Sequence, residues 1–67
     1  MDAKKIGQKL AELRKTSRLT KRQVSKDLCC SYQAICAWEY GARVPNDEWK
    51  QKLANYYGAS VEAIFYT

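Results

Sequence analysis

The chain contains no histidine, one proline, three glycines and three cysteines among its 67 residues. Histidine is the commonest general base and metal ligand near neutral pH. No carboxylate pair or activated nucleophile stands at a spacing that would replace it. The sequence therefore predicts a protein that is not an enzyme and that binds no cofactor.

The three cysteines are Cys29, Cys30 and Cys36. An odd number of cysteines, two of them adjacent, is a poor framework for disulfides. Structural zinc takes four ligands, and the side chains of adjacent residues diverge, so we expect no metal site. The prediction is three reduced structural thiols, and redox sensing is the alternative that the sequence leaves open.

Long hydrophobic runs are absent as well. The N-terminal stretch MDAKKIGQKL carries charge but lacks the apolar segment of a signal peptide, and no run approaches membrane-spanning length. We therefore expect a cytoplasmic protein without a membrane partner. The length predicts a single domain, residues 1–67, which buries only about 60% of its unfolded surface and is marginally stable.

Charge is distributed unevenly along the chain. Residues 1–26 contain nine lysines and arginines against two acidic residues, whereas residues 27–67 contain three against five. A basic half joined to a slightly acidic half favours a polyanion that contacts one side of the protein. The alternative is a solvated helix face with surplus lysine.

Apolar residues recur at helical spacing, and no stretch alternates as a strand does. The pattern predicts an all-α fold of five short helices at about 3–16, 21–28, 32–40, 47–57 and 61–66. Thr20 and Gln23 have the spacing of a capping box, in which each side chain bonds a free backbone amide of the other residue. The residues expected to point inward are Ile6, Leu10, Leu13, Val24, Leu28, Ile35, Trp38, Trp49, Leu53, Tyr57, Val61, Ile64 and Phe65.

The second and third predicted helices are joined by a short turn, which is the frame of a helix-turn-helix. Over residues 4–66 the sequence resembles the phage-repressor-type DNA-binding domains (Cro and lambda-repressor-like, Xre). The resemblance rests on IGQKLAELRK, LTKRQVSKDL, S-x-x-x-I-x-x-WE-x-G across 31–41, Pro45, and DEWKQKLANYYGASVEAIF. It implies a compact five-helix lambda-repressor-like fold whose second and third helices bind DNA.

In the family's arrangement the third helix is the recognition helix, and Ser31 caps it with a hydroxyl close to the DNA backbone. Tyr32 and Gln33 then project at its start as base-reading residues. Glutamine can make two hydrogen bonds to adenine, and Ala37, one turn later, can touch a thymine methyl group. The alternatives are a merely solvated Gln33 and a Tyr32 that stacks on neighbouring side chains.

The resemblance also places cations against the DNA backbone. Lys21 and Arg22 stand at the N-terminus of the second helix, where backbone amides and cations together attract phosphate. Arg43, in the loop after the recognition helix, is expected to have the same role. Lys4, Lys5 and Lys9 are expected to add to the general positive field without direct contact.

Other positions carry structural expectations. The family commonly pairs an arginine late in its first helix with the glutamate of the WE dipeptide, which implies an internal ion pair between Arg14 and Glu39. Cys29 stands where the family usually has glycine, in a turn whose left-handed conformation costs a non-glycine residue about 1–2 kcal/mol. Cys30 is expected to replace a small core aliphatic, and Cys36 to lie on the outer side of the recognition helix.

The predicted function is therefore a sequence-specific transcriptional regulator that binds double-stranded DNA. The resemblance implies a repressor from a phage or mobile element, with a two-fold operator bound by a homodimer. The alternative is a protein-interaction module, such as an antitoxin-like or accessory partner protein.

Overall fold

The computed structural model describes residues 2–66, and over that range it contains five α-helices and no strand. The helices are α1 (Ala3–Thr16), α2 (Lys21–Leu28), α3 (Tyr32–Tyr40), α4 (Asp47–Tyr57) and α5 (Val61–Phe65). The predicted all-α, five-helix class is confirmed. Helix α5 ends one residue before its predicted end because Tyr66 leaves the helical conformation, with φ −126° and ψ 35°. The predicted domain limits, residues 1 and 67, lie outside the described residues.

Every helix begins at a polar residue whose side chain accepts hydrogen bonds from free backbone amides. These N-cap residues are Asp2, Thr20, Ser31, Asn46 and Ser60. Such a cap typically contributes about 1 kcal/mol, which matters for helices as short as these. In the expected capping box, the prediction that the Gln23 side chain bonds back to Thr20 was wrong. The side-chain amide of Gln23 donates instead to Asp27 Oδ1 at 2.9 Å.

The core is formed by nine buried side chains: Ile6, Leu10, Val24, Ile35, Trp38, Leu53, Ala54, Ile64 and Phe65. The remaining residues expected to point inward pack around this core but stay partly exposed: Leu13, Leu28, Trp49, Tyr57 and Val61. Helices this short cannot cover every residue of an apolar stripe, so the outer members of each stripe form the margin of the core.

Gly7 brings α1 and α3 into close contact. A Cβ atom at this position would lie 2.3 Å from the backbone oxygen of Glu39 and 2.7 Å from that of Trp38. Only glycine therefore allows the two helices to approach this closely. The contact holds one side of α3 against α1 and leaves its opposite side free.

Lys50 is buried, with 7% of its surface exposed. Its ammonium group donates a hydrogen bond to the Tyr66 hydroxyl at 3.1 Å and lies 3.7 Å from Asp47 Oδ1. The rings of Phe65 and Tyr66 also face it, with centroids 5.8 and 5.0 Å away. Lys50 thus ties α4 to the end of α5, a role that periodicity did not suggest for a lysine.

Candidate DNA-binding surface

The turn between α2 and α3 has the geometry of a helix-turn-helix. Cys29 ends α2 in the left-handed conformation, with φ 55° and ψ 42°. The backbone amide of Cys29 donates to the Lys26 carbonyl at 3.3 Å, and that of Cys30 donates to the Ser25 carbonyl at 3.0 Å. The turn therefore keeps this geometry without glycine, at a conformational cost of about 1–2 kcal/mol.

Arg14 joins α3 to two other parts of the domain. Its Nε donates to Glu39 Oε2 at 2.8 Å and its Nη2 to Glu39 Oε1 at 3.1 Å. Its Nη1 donates to the Leu19 carbonyl at 2.9 Å, a contact that the sequence did not suggest. The hydrogen bond with Glu39 raises the pKa of Arg14. One guanidinium thus links α1, the loop before α2, and α3.

A second polar contact fixes α2 against α4. The Tyr56 hydroxyl donates to Asp27 Oδ2 at 2.6 Å, while Gln23 binds the other oxygen of that carboxylate. Burial, together with the hydrogen bond to Asp27, raises the pKa of Tyr56 to about 12. No local pattern could have indicated this contact, because the two partners are 29 positions apart.

The free side of α3 carries Gln33, Cys36, Ala37 and Tyr40. Gln33 is exposed, and 85% of the Tyr40 surface is exposed, whereas Cys36 and Ala37 are half-buried. Two of the predicted base-reading residues, Gln33 and Ala37, therefore lie together. Tyr40 was missed in the sequence, although its position seven residues after Gln33 puts both on one helix face.

Tyr32 lies beside this face and contacts a cation. The Arg22 guanidinium sits 4.8 Å from the centroid of its ring, and Tyr32 itself is 38% exposed. In the free protein Tyr32 therefore stacks on a neighbouring side chain, which is the alternative given above for this residue. Lys21, which is half-buried, borders the same shallow depression. The structure thus brings together three of the predicted DNA contacts, from the start of α2 and the start of α3.

Arg43 and Ser31 border a second depression, between α3 and the α3–α4 loop. Arg43 is exposed, and its backbone amide donates to the Ala37 carbonyl at 3.3 Å. The Ser31 hydroxyl accepts from the Ala34 amide at 3.1 Å as the α3 cap. The predicted cations thus border two depressions beside α3: Lys21 and Arg22 line the one that contains Tyr32, and Arg43 lines the one that contains Ser31.

The thiols form no cluster with other ligands. Across residues 2–66, no group of three or more histidine, cysteine, aspartate or glutamate side chains could hold a metal ion. Cys29 is an exposed free thiol, and Cys30 packs against the core, where burial raises its pKa. In the same part of the chain, no helix has the length and apolar character needed to cross a bilayer.

Comparison with known proteins agrees with this geometry. A family model described as a helix-turn-helix domain matches residues 5–64, which is most of the chain. No curated protein and no solved structure matches significantly. This family suggests a DNA-binding regulator, and its members are typically not enzymes. The chain belongs to the helix-turn-helix domain family.

Proposed function

We propose that residues 1–67 form one domain that binds a specific double-stranded DNA sequence and regulates transcription. The subtype proposed is the phage-repressor type (Cro and lambda-repressor-like, Xre), acting as a repressor of a phage or mobile element. One observation carries the proposal: the free side of α3 is neutral, and cations line the two depressions that Tyr32 and Ser31 border at its start. Neutral groups read base edges, while cations contact phosphates.

Lys21, Arg22 and Arg43 are the proposed phosphate contacts. The first two stand at the start of α2, where the free backbone amides and the helix dipole also favour an anion. Arg43 follows the end of α3, where its backbone amide donates to the Ala37 carbonyl, and it borders the same depression as Ser31. Phosphate contacts from both depressions would hold α3 in the major groove.

Gln33 is the proposed principal base reader. It lies in the first turn of α3, the part of a recognition helix that contacts base edges. Its amide can donate to adenine N7 and accept from adenine N6 at the same time. Tyr32 would contact DNA beside it, with Arg22 stacked on its ring, and Ala37 would face the next base pair.

The proposed operator is two-fold symmetric and is bound by a homodimer. Half-sites of such operators lie about 34–36 Å apart, one helical turn of DNA. The protein measures 26 by 23 by 21 Å, so two copies fit side by side on one face of the duplex. Contacts between copies would come from α4, α5 or the loops beside them, and occupancy would block or contact polymerase.

Selection of bound duplexes from a random pool, followed by sequencing, tests the proposal. We expect a two-fold motif, bound at least about a thousandfold more tightly than random DNA at physiological salt. Lys21→Ala with Arg43→Ala should abolish enrichment, whereas Lys9→Ala with Lys5→Ala removes the same charge from α1 and should preserve it. Failure to bind any duplex at moderate salt would contradict the proposal and favour a protein-interaction module.

A further inference from the structure

We propose that the free side of α3 is specific for A·T base pairs and reads the 5-methyl group of thymine through Cys36 and Ala37. This inference rests on the DNA-binding function proposed above and names the class of sequence that α3 selects. Cys36 and Ala37 form an apolar strip between Gln33 and Tyr40.

Helix geometry puts these four residues together. Successive residues of an α-helix are separated by about 100°, so Gln33 and Tyr40 project within about 20° of each other. Cys36 and Ala37 lie on either side of that line. The buried residues Ile35 and Trp38 point the opposite way, into the core. The apolar strip is therefore the middle of the side that α3 would turn toward base edges.

The residues that read G·C pairs are missing from α3. Guanine is most often read by arginine or lysine, and α3 contains neither. The amino group of cytosine can be read by a carboxylate, and the one acidic residue of α3 is Glu39. Both oxygens of Glu39 accept hydrogen bonds from Arg14, and only 7% of its side chain is exposed. Glu39 is therefore held away from the DNA.

The residues that read A·T pairs are present on this side. Gln33 can bind adenine through two hydrogen bonds, and small apolar side chains contact the thymine methyl group. A free cysteine behaves as a small hydrophobic residue, so Cys36 extends the apolar surface of Ala37. Both residues are half-buried, so part of each stays accessible to a methyl group.

Replacement of thymine by deoxyuridine tests the inference, because it removes the methyl group and keeps every hydrogen-bonding group of the base. Each thymine of the selected duplex is replaced in turn, and the dissociation constant is measured by fluorescence anisotropy. At one or two positions in each half-site we expect affinity to fall about fourfold, which corresponds to about 0.8 kcal/mol for one buried methyl group.

Cys36→Ser provides the matched variant, because it replaces the apolar thiol by a polar hydroxyl of similar size that makes little favourable contact with a thymine methyl group. We expect it to lose the preference for thymine over deoxyuridine at one of these positions. Cys29→Ser is the control: Cys29 lies in the turn outside α3, so this variant should keep the full preference. An unchanged preference in Cys36→Ser would overturn the role of Cys36.

The outcomes separate this inference from the function on which it rests. A selected motif with G·C pairs at the α3 positions, bound equally well with deoxyuridine, would overturn the A·T inference and leave DNA binding intact. If no duplex is selected at all, both proposals fail.

Discussion

Arg14 and Glu39 lie 25 positions apart in the sequence and meet through two hydrogen bonds of 2.8 and 3.1 Å. The third hydrogen bond of Arg14, to the Leu19 carbonyl, brings the loop before α2 into the same contact. One nearly buried ion pair therefore joins α3 to α1 and, through Leu19, to the loop before α2. If α3 binds DNA, this pair supports binding without touching the DNA.

Replacement of Glu39 by alanine should lower the free energy of unfolding by about 3–5 kcal/mol, because it leaves the Arg14 charge nearly buried and unpaired. The measurement is urea denaturation followed by circular dichroism. Glu48→Ala is the control: it removes an exposed pair with Lys52 and should cost about 0.5 kcal/mol or less. A similar stability for the two variants would show that the Arg14–Glu39 pair is unimportant.

Gly7→Ala should destabilise the protein by about 1–3 kcal/mol, the usual cost of overpacking. The added Cβ would lie 2.3 Å from a backbone oxygen of α3, so the two helices would have to separate. Gln8→Ala is a suitable control at an exposed position of the same helix. A Gly7→Ala protein with the melting temperature of the unaltered chain would contradict the close packing of α1 on α3.

Cys29→Gly should stabilise the protein by about 1 kcal/mol, since glycine adopts the left-handed conformation of this turn without the cost borne by cysteine. Cys29→Ala removes the same thiol and keeps the strain, so it should give no such gain. Thermal unfolding of the two variants isolates the backbone contribution. Equal melting temperatures would show that the turn is not strained at residue 29.

Stability should fall as the pH rises from about 10 toward 12. The pKa of Tyr56 is raised in the folded protein from 10.0 to about 12, so the neutral phenol favours the folded state. This contribution is fully present below pH 10 and is lost as the pH rises through the folded pKa. Tyr56→Phe cannot ionise, so its denaturation midpoint should fall less steeply over this window. Parallel curves for the two proteins would contradict the assignment.

Most of the fold could be predicted from local signals in the sequence. Helix ends are marked by the capping residues before α2 to α5 and by the left-handed glycines after α3 and α4. Each of these signals lies in the few residues around the helix end, as Ser31 and Gly41 do for α3. The spacing of apolar residues likewise identified the centre of the core. Such signals depend on the neighbours of a residue in the sequence, so they can be read without the tertiary structure.

The contacts between helices were less predictable. The buried position of Lys50 depends on Tyr66 and Phe65 in another element, and the bond from Tyr56 to Asp27 spans two helices. Neither is encoded in a periodic pattern. Within the candidate site, Gln33 and Ala37 could be placed on one face from helix geometry, but the stacking of Arg22 on Tyr32 required the structure.

The most direct test of the central claim, that α3 reads bases while its flanks hold phosphates, is the salt dependence of binding in three variants. Lys21→Ala should weaken binding to selected and random duplexes by similar factors and flatten the plot of log affinity against log salt by about 0.9. Lys9→Ala removes the same charge from an exposed position of α1 and should leave the slope nearly unchanged. Gln33→Ala should lose about 1–3 kcal/mol on the selected duplex alone, with an unchanged slope. Equal losses on all sequences with a flattened slope for Gln33→Ala would contradict base reading by α3.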